Sequence, residues 1–97
     1  MRLRISREAA LDLENIWTYS REQWSVEQAN RYYRFLFEKI DLILQNPFAG
    51  LDYSHIKPGY RKVSVKSHSI FYRVAEEQNS LEVIRILHQK MDVDLNL

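Results

Sequence analysis

Hydrophobic positions change their spacing twice along this chain. Leu3-Arg4-Ile5 alternates apolar and charged side chains, the period of a strand. Ser6 then offers a hydroxyl as helix N-cap, and Glu8 complements the positive helix end in the first turn. Ala9, Leu13, Ile16 and Trp17 recur at helical spacing, with Ser20 on the same side and Trp24 one turn further on. Ser25-Val26-Glu27-Gln28 is a capping box, the serine accepting from the Gln28 amide while the Gln28 side chain reaches back. Ala29, Tyr32, Tyr33, Leu36, Ile40, Ile43 and Leu44 mark a second apolar stripe, and Pro47 stops that helix. Two helices so close in sequence predict an antiparallel hairpin.

Pro47 to Gly59 holds both prolines and both glycines and reads as a connecting loop. Beyond it the period becomes two. The pattern predicts strands over 60–65, 68–74 and 81–88, with a tight turn at Lys66-Ser67 and a polar turn over 75–80. In the last strand Ile84 and Ile86 fall on one face, Val83 and Leu87 on the other, as a central strand requires. The tail from Met91 to Leu97 alternates Asp92 and Asp94 with apolar residues, and either caps the sheet or frays. The sum is a single α+β domain over 1–97: an N-terminal strand, then an antiparallel helical hairpin packed on a small antiparallel sheet joined by that strand.

Ninety-seven residues, 45% of them hydrophobic, suit one core and argue against disorder. No apolar run reaches membrane-spanning length, and the N-terminus lacks a continuous apolar signal core. There is no cysteine, which excludes disulfides and thiolate metal sites and fits a cytoplasmic location. A net charge of +1 argues against tight nucleic-acid binding by the whole surface. Five basic residues (Lys57, Arg61, Lys62, Lys66 and Arg73) nevertheless lie between His55 and Arg73 without an acidic one. They form either a local basic surface or ordinary solvated strand faces.

Candidate chemistry is sparse. Arg85 sits between apolar neighbours, where a charge is costly unless it is paired or faces a groove. Either it contacts partner acids or it pairs with an internal carboxylate such as Asp92. His68 and His88 suit acid–base work or simple structural hydrogen bonding. His88 and Asp92 are too few for a metal site, and neither metal nor cofactor is expected. Ser69 and His68 are adjacent on a strand and point to opposite faces, so no serine nucleophile is supported. Leu11, Asn15 and Tyr19 fall at four-residue spacing away from the first helix's main stripe. Phe35 and Leu42, with Lys39 between them, lie off the second helix's stripe. Such apolar positions suggest a docking surface for an amphipathic partner helix.

Three segments, in this order, resemble the ParE toxins of the RelE/ParE superfamily, and the match covers essentially the whole chain. The first is Asp12-Leu13-Glu14-Asn15-Ile16-Trp17-Thr18-Tyr19 with Gln23 to Ala29. The second is Asn46-Pro47-Phe48-Ala49-Gly50 leading to Pro58-Gly59-Tyr60-Arg61-Lys62. The third is His68 to Val74 with Ile84 to Asp92.

The resemblance implies a toxin of a type II toxin–antitoxin pair that binds DNA gyrase, without sequence-specific DNA binding of its own, and is neutralised by a ParD-like antitoxin. Antitoxin contact is then expected at Leu11, Asn15, Tyr19, Phe35, Lys39 and Leu42. Target contact is expected at Lys57, Arg61, Lys62, Lys66, Arg73, Arg85 and Lys90, and along the tail that follows. The alternative it implies is a ribosome-dependent mRNA endoribonuclease of the RelE type, using Arg61, Arg85 and His88. Against that, Ser69 stands where ribonuclease relatives often carry a catalytic arginine. The end His88-Gln89-Lys90-Met91-Asp92 also lacks their tyrosine.

Overall fold

Two serine hydroxyls start the long helices. Ser6 Oγ accepts from the Ala9 amide at 3.0 Å and opens helix α1 (Arg7–Gln23). Ser25 Oγ accepts from the Gln28 amide at 3.0 Å and opens α2 (Val26–Gln45). The return half of the capping box is not made, because the Gln28 side-chain Oε1 accepts from Arg31 Nη1 at 3.3 Å instead. Only Trp24 and Ser25 separate the helices, which pack as the expected antiparallel hairpin.

The computed structural model describes residues 1–97. Its strands are β1 (Arg2–Ile5), β2 (Leu51–Asp52), β3 (Tyr60–Val65), β4 (His68–Ala75) and β5 (Ser80–His88), followed by a helical turn α3 (Val93–Asn96). They form one sheet in the order β1-β5-β4-β3-β2. The expected antiparallel sheet is in fact mixed, since β1 runs parallel to β5. A parallel pair needs a long crossover, and the helical hairpin with the β3–β4 strands supplies it. The loop expected over 47–59 also contains β2, which pairs Leu51 with Lys62 and Asp52 with Arg61.

The hairpin covers one sheet face. Ala9, Leu13, Leu36, Ile40 and Ile43 from the helices meet Val65, Ile70, Tyr72, Leu81, Val83 and Ile86 from the strands in one buried cluster. Val83 and Ile86 share this face, contrary to the simple alternation expected of β5. The cause is a bulge: Phe71 pairs with Arg85 and Tyr72 with Val83, leaving Ile84 unpaired and shifting the parity. Trp24, placed by spacing on the core side, is 74% exposed because α1 ends one residue before it.

At the bulge β5 loses its outer neighbour, since β1 has ended. Side chains take over the exposed edge. Ser6 Oγ donates to the Ile84 carbonyl at 2.6 Å, and the Asp12 carboxylate accepts from the Ile86 amide at 2.9 Å. Asp12 also holds Arg85 through two bonds, from Nε at 2.8 Å and Nη2 at 3.0 Å. Arg85 Nη1 then donates to the Asn96 carbonyl at 2.8 Å and ties down the tail. The internal carboxylate that pairs Arg85 is thus Asp12. Asp92 instead caps α3.

Candidate functional site

Past the C-terminal half of α1, the hairpin and the sheet diverge and leave a cleft of about 430 Å³. Ile16, Tyr19 and Trp24 form its helical wall, Tyr32 its back, and His68 and His88 its floor, with Met91 at the tail side. Asn15, Ser20, Gln28 and Ser67 complete the lining, which contains no Lys, Arg, Asp or Glu.

The floor is built by strand register. His68 and His88 are cross-strand partners, with rings edge to face at 5.2 Å between centroids. The Tyr32 hydroxyl lies 2.6 Å from His68 Nδ1 and accepts from the Ser67 amide at 3.2 Å. Burial first, and then the neighbouring His88, push the His68 pKa down to about 4, against a weaker pull from Asp12. His68 is therefore neutral near pH 7, and the Tyr32 hydroxyl is shared between its ring nitrogen and the Val65 carbonyl, which accepts from it at 3.3 Å. Burial raises the Tyr32 pKa, so the phenol also stays neutral. His88 Nδ1 accepts from the Lys90 amide at 3.1 Å.

The β3–β4 turn that frames the cleft is pinned from two sides. Lys66 has a left-handed backbone (φ 53°), unusual for a side chain with a Cβ. Its carbonyl accepts from the Gln89 side chain at 2.8 Å, while the Gln89 amide donates to the Ser67 carbonyl at 2.8 Å. Gln89 thus holds the turn on the sheet side of the cleft through both its side chain and its backbone. The cleft offers a hollow free of Lys, Arg, Asp and Glu and rich in aromatic rings, suited to an apolar side chain from a partner.

The structure separates the basic residues singled out from sequence. Arg61 donates to the Phe48 and Gly50 carbonyls at 3.2 and 2.9 Å and lies over the Phe48 ring, so it serves the loop after α2. Arg85 serves Asp12 and the tail, at the β1 side of the sheet. His88 stands in the cleft, so Arg61, Arg85 and His88 do not converge. Lys62 lies over the Tyr53 ring and Lys66 over Phe35, Arg73 meets Glu82 at 3.5 Å, and Lys57 and Lys90 are exposed.

The two helical stripes are also separated. Leu11, Asn15 and Tyr19 are exposed on α1 and lead into the cleft. Phe35, Lys39 and Leu42 line a shallow hollow of about 300 Å³ between α2 and β3. Phe35 is partly buried against the core, not an exposed apolar position. Sequence reasoning thus gave one docking surface where there are two flanks. It also missed the histidine pair. The short Lys66-Ser67 turn was the available signal, because it fixes the β3–β4 register and brings His68 towards the end of β5.

Comparison with known proteins fits this geometry. Residues 3–93 match the family described as ParE toxin of type II toxin-antitoxin system, parDE. Toxin ParE1 of Mycobacterium tuberculosis is 46% identical over 93 residues, which span 96% of this chain and 94% of that protein. Among solved structures, one described as the chromosomal ParDE TA system from P. aeruginosa has a TM-score of 0.77 at 24% identity, covering 91% of this chain and 95% of that one. The isolated E. coli RelE toxin has a TM-score of 0.64 at 17% identity, covering 98% and 90%.

Proposed function

This chain belongs to the ParE toxin family of type II toxin–antitoxin systems, and from that premise we propose that it arrests growth by binding DNA gyrase and is neutralised by a ParD-like antitoxin. The observation that carries a binding mode is the dispersal of Arg61, Arg85 and His88. Cleaving RNA requires an acid, a base and cations gathered around one phosphate. Here the two histidines share a cleft with no lysine or arginine in its lining, and both arginines are engaged by the fold.

The antitoxin seats an amphipathic helix along Leu11, Asn15 and Tyr19 and places an apolar side chain in the cleft over the neutral His68. Lys57, Lys66 and Lys90 remain available to the target, whereas Arg61 and Arg85 act by holding the surface in shape. The site of action is the cytoplasm, where gyrase works. No helix of this chain is long and apolar enough to cross a membrane.

Purified chain added to a gyrase supercoiling reaction and, in parallel, to a translation reaction tests the target. Inhibited supercoiling with intact message is the expected result, and cleavage of codons in the ribosomal A site would overturn it. For the antitoxin seat, Tyr19→Asp should weaken complex formation at least tenfold without changing the circular dichroism spectrum.

A further inference from the structure

Charge is distributed unequally between the two layers. The long helices carry seven acidic and five basic residues, interspersed. On the sheet face turned away from them, register places Arg2 and Arg4 of β1, Arg73 of β4 and Lys62 of β3 on one side, with Glu82 of β5 the single acid among them. Arg2 and Arg4 were outside the basic stretch visible in sequence, and only the parallel β1–β5 pairing brings them beside it.

Apart from Lys62, which lies over the Tyr53 ring, these cations differ from Arg61 and Arg85 in being underused. Arg2 and Arg4 are exposed, and Arg4 has only a long contact with Gln78 at 3.4 Å. Arg73 is half-exposed, with Glu82 at 3.5 Å as its ionic partner. Strand spacing sets the band from β1 to β3 at about 14 Å across. Glu76 and Glu77, in the turn between β4 and β5, bound it at one end.

We propose that this half of the sheet's open face binds the phosphodiester backbone of a nucleic acid strand, independently of base sequence. Guanidinium forks match phosphate oxygens in pairs, and a row of them across neighbouring strands can meet successive phosphates of one backbone. Tyr60, the cross-strand partner of Arg73, supplies a ring beside the cations on which a base can stack. Arg clusters also recognise acidic motifs, but no hollow beside these arginines would hold the side chains of a peptide. Arg2, Arg4 and Arg73 line none of the four main hollows. The net charge of +1 keeps this binding local and dependent on low salt.

The test is fluorescence anisotropy of a labelled 20-nucleotide single-stranded DNA of mixed sequence, titrated with the full chain. Saturable binding at 50 mM salt is expected, weakening roughly 20- to 50-fold at 200 mM if three to four phosphates are neutralised. The double variant Arg2→Ser/Arg4→Ser should lose at least tenfold at 50 mM, and Arg2→Lys/Arg4→Lys should recover most of it. Arg31→Ser/Arg34→Ser, on the helical layer, should change little. Circular dichroism checks each variant, and Arg73→Ser provides the same reading from an interior strand if β1 does not tolerate change. Absence of binding at 50 mM, equal loss in the α2 control, or preference for a labelled polyglutamate peptide would overturn the proposal. None of these outcomes bears on gyrase inhibition, so the two readings fail separately.

Discussion

Gly50 shows how one small residue can fix a loop. A Cβ there would lie 2.5 Å from the Tyr72 hydroxyl, which accepts from the Gly50 amide at 3.0 Å and donates to the Pro47 carbonyl at 2.7 Å. Tyr72 is fully buried and has no room to retreat. Gly50→Ala should therefore cost about 1–3 kcal/mol in urea unfolding, as overpacking does. His68 gives a second expectation. Its pKa is lowered to about 4 from an ordinary 6.5, so the unfolded chain takes up the proton first as the pH falls. The stability contributed by the neutral ring is whole above pH 6.5 and is lost progressively towards pH 4. Urea midpoints measured across that window should fall in the parent and flatten in His68→Asn. The groups facing this ring are His88, Tyr32 and, more distantly, Asp12. None of these pairings was legible in the sequence, where Arg61 and His68 could only be recognised as chemically capable.

Helices and strands differ in how openly the sequence declares them. Ser6 and Ser25 cap helices whose apolar spacing is local, and both helices lie where pattern and caps placed them. The β5 bulge is not local, because it arises where β1 ends and Asp12 takes over the edge, so alternation gave the wrong face for Ile84. β2 has only two residues and gains its definition from β3. The carboxylate–guanidinium pair at the bulge is largely buried, with side chains 14% and 23% exposed. Asp12→Ala leaves Arg85 with only the Asn96 carbonyl and the Ile86 amide with no partner, and should cost about 2–4 kcal/mol. In a domain of this size that lowers the melting temperature by roughly 10–20 °C, readable by calorimetry. Arg85→Ala should destabilise comparably, so a loss of toxicity in that variant reports a damaged fold before it reports a lost target contact. A variant with an unchanged melting temperature and no toxicity would reverse that assignment.

The hairpin and sheet leave two surfaces open to partners, an aromatic cleft at the α1 flank and a basic band on the opposite sheet face. If antitoxin occupies the first, the second stays open, and the antitoxin-bound chain should hold single-stranded DNA within about threefold of the free chain's affinity by anisotropy. Trp24 is a rim residue with little of its ring in the core. Trp24→Asp should change stability by less than about 0.5 kcal/mol, as surface substitutions do, while weakening antitoxin binding at least tenfold in calorimetric titration. The general division into a helical layer and a sheet layer was legible because it follows from two periods along the chain. Which residues share a side was not, since that depends on strand order.

The parallel β1–β5 pairing also governs when the protein can become active during its own manufacture. Ser6 and Ile84 are 78 positions apart, and Asp12 reaches Arg85 across 73. At ribosomal speeds of about 5–20 residues per second, the first strand waits some 4–16 seconds for its neighbour to be made. Until then the floor that His68 and His88 give the cleft is also unfinished, so a partner that needs both α1 and that floor can engage only the completed chain.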